Sequence, residues 1–139
     1  MKTYNLTLTE TQLRTVQKAL DCYSRIGMGQ CGTAITDHPD VSKRIFEDSD
    51  NAPGIWDVSR GIDVMMKSMV FTELTDGGFH GIYSEGIDES NRVAYDILQV
   101  IRHRLAWDNH KEGDRTIYVS YDRPLKTSGE PLPNIGENL

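Results

Sequence analysis

Cysteine is scarce here. Cys22 and Cys31 are the only two in 139 residues, and neither has a second Cys or a His at zinc-ligand spacing. A disulfide framework and a structural metal site are therefore not encoded, and both side chains read as reduced thiols. Long apolar runs are missing too. No stretch approaches the roughly 18 residues that a membrane helix needs, and the first residues lack the basic-then-apolar order of a secretory signal. A cytoplasmic protein without membrane partners is expected. Positive charge is also in deficit: 15 Lys and Arg against 21 Asp and Glu leave a net charge of -6 and a pI near 5.1. That balance argues against general binding to DNA or RNA, which depends on neutralising phosphates.

The chemistry-bearing motifs are absent in the same way. Four histidines, His38, His80, His103 and His110, form no HxH or HExxH pattern, so a metal site would have to be assembled from distant segments. The glycines of Ser24-Arg25-Ile26-Gly27-Met28-Gly29-Gln30 follow a helical pattern, whereas phosphate-cradling glycine loops precede a helix. Gly27 reads as a helix stop. No nucleophile and base can be paired from spacing. Neither a cofactor nor a metal nor a catalytic residue is predicted.

What remains is an ordinary single-domain length, with about two thirds of the unfolded surface to be buried. The apolar share of 37% is modest and points to oligomer contacts or long loops. Thr3 to Leu8 alternates Tyr4, Leu6 and Leu8 against Thr3, Asn5 and Thr7, the period of a strand. Thr9-Glu10-Thr11-Gln12 is a capping box, from which Leu13, Val16, Leu20 and Tyr23 recur at helical spacing. Residues 30–51 read as a loop with one helical turn at Val41–Glu47 after a break at Pro39. A second helix is predicted from about Pro53 to Phe71, with Ile55, Val58, Ile62, Met65, Met66 and Met69 on a broad stripe that Gly61 weakens. The methionines read as adaptable core filling or, if exposed, as a subunit contact. Asp76-Gly77-Gly78 marks a turn, and Phe79 to Tyr83 a loop or irregular strand. A third helix is predicted from Asp88–Ser90 to Asp108–Gly113, with Val93, Ile97, Val100 or Ile101, and Leu105 facing the core.

Thr116 to Tyr121 alternates again and predicts a second strand. The fold class expected is α+β: three main helices packed with a small sheet in which the N-terminal and C-terminal strands pair. Residues 1–123 make the compact domain, and 124–139, rich in Pro, Gly and charge, an extended tail.

One concentration of positive charge stands out. Arg102, His103 and Arg104 sit together in the third helix, with Trp107 one turn on, and Arg25 lies in the glycine-rich segment. Guanidinium groups beside an indole suit a phosphate-bearing ligand with a stacking base. Successive helical residues diverge by roughly 100°, so at most two of the triplet meet one ligand. Arg25, Arg102, His103, Arg104 and Trp107 are the predicted ligand-binding residues.

Leu6-Thr7-Leu8-Thr9-Glu10, Ala19 to Gln30, and Tyr95 to Trp107 together resemble a group of small accessory proteins of tailed bacteriophages. That resemblance implies a chain working in the host cytoplasm, similar in kind to host-defence antagonists. Among these are sponges that sequester a cyclic ADP-ribose isomer or cyclic oligonucleotide without altering it. A non-enzymatic homo-oligomer capturing such a ligand is the leading expectation. The alternatives are an acidic antagonist of a host protein and a metal-dependent phosphodiesterase built on His80, His103 and His110.

Overall fold

Thr9 opens the first helix through both halves of its box. Its hydroxyl accepts from the Gln12 N–H at 3.2 Å, and the Gln12 side chain accepts from the Thr9 N–H at 2.9 Å. In the computed structural model, which describes residues 1–47, 50 and 53–136, this helix α1 runs Glu10–Gly27. The end of the expected 30–51 loop and the last three residues of the tail lie partly or wholly outside the described residues. After α1 come α2 (Cys31–Thr36), α3 (Pro39–Glu47), α4 (Ile55–Met69), α5 (Glu89–Asp108) and a 3-10 turn at Val119–Tyr121.

The expected sheet is absent: every regular element among the described residues is a helix, and none is a strand. Thr3–Leu8 is irregular, with Tyr4 and Leu6 exposed, and Thr116–Tyr121 is broken by the 3-10 turn. Alternation fixes where side chains point in an extended chain, but a strand needs a partner, and two short ribbons alone are marginal in water. The second segment leaves Ile117, Tyr118 and Val119 exposed and packs only Tyr121, which turns onto Trp107 with ring centres 5.1 Å apart.

Two helices occupy the stretch read as a loop. Pro39 begins α3 instead of breaking it, in the first-turn position where its missing N–H costs nothing. α2, Cys-Gly-Thr-Ala-Ile-Thr, has poor intrinsic propensity, and burial of Cys31, Gly32, Ala34 and Thr36 holds it in place. The Gly32 N–H donates to the Asp63 carboxylate of α4 at 2.7 Å, and a Cβ at Gly32 would fall on the Ser59 carbonyl. Gly29, at φ +80°, turns the chain between α1 and α2.

The buried apolar residues are Cys31 and Ala34 on α2, which packs on α1 and α4, and Ala94, Leu98, Ile101 and Leu105 on α5, which packs on α1, with Ile87 just before α5. Gly27 lets the two long helices meet, because a Cβ there would strike the Asn91 amide. With Tyr23 bonded to Ser90 at 2.8 Å, the end of α1 therefore lies beside the start of α5. No helix among the described residues is long and apolar enough to cross a membrane.

Candidate functional site

α5 buries two faces, not one. Ala94, Leu98, Ile101 and Leu105 are buried, while Asp96 and Gln99, both polar and both buried, hold a returning segment of chain. Of the expected apolar stripe, Leu105 and Ile101, the alternative to Val100, are buried, while Val93, Ile97 and Val100 are half-buried.

The returning segment is a strap that runs antiparallel to α5. His103 Nδ1 lies 3.3 Å from the Ser120 carbonyl oxygen. One turn nearer the helix start, the Gln99 amide donates to the Leu125 carbonyl at 3.3 Å and accepts from its N–H at 3.2 Å. Asp96 then takes the backbone and hydroxyl hydrogens of Thr127 and Ser128, and Glu89 accepts from the Gly129 N–H at 2.5 Å. The tail is thus tied to α5 along the roughly 21 Å that fourteen residues of helix span.

Burial pushes the Asp96 carboxyl up, but the bonds from Ser128 and Thr127 outweigh it and hold the group below the usual carboxylate range. Asp96 ionised is the state the strap requires. The Cys31 thiol is pushed up, first by burial and then by the nearby Asp63 and Cys22.

Between the strap and α5 lies a hollow of about 190 Å³, lined by Tyr95, Gln99, Arg102, Val119, Asp122, Arg123, Pro124 and Leu125. Tyr95, Gln99 and Arg102 share it because they are spaced at i, i+4 and i+7 on one helical face. Arg102 forms no ion pair among the described residues, and its Nε is buried without an acceptor there. A guanidinium N–H in that condition is costly unless something accepts from it. Arg123 adds a second positive charge from the strap, and Asp122 one negative charge.

The five predicted binding residues do not form one cluster. Arg102 alone lines this hollow. His103 faces the strap at Ser120. Arg104 pairs with Asp108 at 2.8 Å. Trp107 packs with His110 at 5.3 Å and Tyr121 at 5.1 Å, an aromatic knot that fastens the segment leaving α5. Arg25 is elsewhere, near the start of α5, with its Nε on Asp21 at 2.9 Å and its Nη1 on Gln30 at 2.8 Å. Sequence reasoning missed Tyr95, Gln99 and Arg123. The i, i+4, i+7 register of the first two with Arg102 was a usable signal; Arg123, on another segment, had none.

A larger hollow, about 310 Å³, lies between α2, α4 and the Gly77-Gly78-Phe79 turn, with Gln30, Thr33, Asp63 and Lys67 on its walls. Its one Lys is matched by one Asp, and Asp63 already bonds to Gly32. The histidines do not gather: His80 bonds to Glu73 at 2.7 Å, while His103 and His110 flank Trp107. No three His, Cys, Asp or Glu among the described residues are placed to hold a metal ion. No family model, no curated protein and no solved structure matches the chain.

Proposed function

We propose that this protein is a non-enzymatic capture module for a small phosphate-bearing ligand, gripped where α5 meets its strap. The supporting observation is Arg102: a guanidinium with a buried, acceptor-less Nε, in a hollow that Arg123 also lines. Phosphate oxygens match that need, since guanidinium groups bind them through paired, charge-assisted hydrogen bonds. A hollow of about 190 Å³ suits a phosphate with part of its sugar and lies below the range typical of sites that enclose a whole ligand. The remainder of a nucleotide would therefore lie across Tyr95 and the strap. A nucleotide-derived immune signal, held intact by a phage-encoded homo-oligomer in the host cytoplasm, is the ligand and setting that fit the sequence resemblance.

Calorimetry with ADP-ribose, cyclic ADP-ribose isomers and cyclic dinucleotides tests this, followed by mass spectrometry of the recovered ligand. At least one is expected to bind and to return unaltered. Arg102→Ala should weaken binding by about tenfold or more, equivalent to roughly 1.4 kcal/mol, whereas Arg104→Ala, whose partner is Asp108, should leave it unchanged. Binding insensitive to Arg102→Ala, no binding at all, or recovery of a cleaved product overturns the reading.

A further inference from the structure

α4 has more apolar surface than its own chain covers. Ile55, Val58, Ile62 and Met66 make one stripe at helical spacing, and all are at least half-shielded. Gly61, Val64, Met65, Ser68 and Met69 make a second, at i, i+3, i+4, i+7 and i+8, and every one of these is exposed, Met69 at 75%. A soluble helix with one packed face normally presents charge on the other. Here that face carries charge only in its first turns, at the exposed Asp57 and Arg60, and has none along the stripe from Gly61 to Met69; Gly61 and Ser68 leave room for another backbone to approach, and a Cβ at Gly61 would meet nothing within 4 Å.

The rest of this layer is equally thin. Among the described residues, neither α3 nor α4 has a buried side chain, and the helices that α4 touches are α2 and α3. The accessible surface of the chain is 10055 Å², against about 7,300 Å² for a compact monomer of this mass. The exposed segments 1–7 and 111–119 share that excess with α3 and α4, and a standard interface needs only roughly 800 Å² of it from each partner.

We infer that the outward stripe of α4 packs against the same stripe of a second copy of this chain, in a two-fold dimer. Charge selects that occupant. The chain as a whole carries -6, which opposes self-association, yet α3 balances Asp40 and Glu47 with Lys43 and Arg44, and α4 balances Asp57 and Asp63 with Arg60 and Lys67. Two copies meeting through this layer bring together neutral faces with charges of both signs, the condition a self-complementary interface needs. The inference does not depend on the Arg102 hollow, which lies on α5.

Light scattering after size exclusion, with native mass spectrometry, tests it on the full chain. The expected mass is twice the 15.7 kDa of one chain. Met65→Glu with Met69→Glu should raise the dimer dissociation constant by about tenfold or more. Gly61→Arg should do the same, and because open space surrounds Gly61 in the single chain, its helical circular dichroism should stay native. A wild-type chain that runs as a monomer at micromolar concentration overturns the inference. So does a dimer that survives Gly61→Arg and the paired Met substitutions. Loss of dimer with native helicity in Gly61→Arg supports it, whether or not any nucleotide binds.

Discussion

Asp96 holds Ser128 twice, accepting from its backbone N–H at 2.9 Å and from its hydroxyl at 2.6 Å. Thr127 supplies a matching pair at 2.7 and 2.6 Å. Asp96 is only 2% exposed, so these four bonds are its whole solvation. A carboxylate 31 and 32 residues upstream thereby fixes the path of the C-terminal segment just beyond Leu125, which lines the hollow together with Arg102.

Asp96→Ala should therefore be among the most destabilising single changes in the chain, by about 2–4 kcal/mol, because it strands the N–H groups of Thr127 and Ser128 as well as removing the charge. Asp96→Asn, which keeps one acceptor oxygen, should cost less. Urea unfolding gives the magnitudes. Hydrogen exchange should show the amides of Thr127 and Ser128 losing protection first, and if they stay protected in Asp96→Ala the strap is held by something else.

Acid should loosen the same contact. The Asp96 carboxyl is held below its ordinary value in the folded chain, so its contribution is complete above the unfolded carboxylate value of about 3.9 and is lost as pH falls through the lower folded value. Stability measured from neutrality down to about pH 3 should fall more steeply in the wild type than in Asp96→Asn, since only the former has this carboxylate to protonate. Equal slopes would show that other groups, such as Asp88 and Glu73, which are also held low by Ser90 and His80, carry the acid sensitivity.

Gly32→Ala should destabilise the junction of α2 with α4. The added methyl would fall on the Ser59 carbonyl, a backbone atom that cannot swing away as a flexible side chain does. Overpacking of this kind costs about 1–3 kcal/mol, against the gain of up to about 1 kcal/mol that replacing a helical Gly otherwise brings. Thermal unfolding should show a lower midpoint; an unchanged or higher one would mean that α2 and α4 separate easily.

The limits of the helices were legible in the residues because they depend on neighbours a few positions away. Thr9 and Gln12 close a capping box within one turn, and Asp88 caps α5 by accepting from the Ser90 N–H at 2.9 Å. Non-local contacts were not legible. α2 lacks any periodic signal because its six residues span fewer than two turns, burying small residues while Ile35 is exposed, and nothing local marks Asp96 and Gln99 as buried because their partners lie more than two dozen residues away. The candidate site was half visible: Arg102 stood out as charge on a helix, while Arg123 reached it only through the strap.

By itself, then, the sequence determined the three long helices, the capped starts of α1 and α5, and the lack of a membrane-length apolar helix, all properties of short-range sterics, hydrogen bonding and periodicity. Tertiary structure alone decided that the alternating terminal segments form no sheet, that a polar face of α5 is buried, and that Arg102 and Arg25 lie apart. Those outcomes turn on which distant group a polar atom meets when water is removed, and spacing along the chain does not record that.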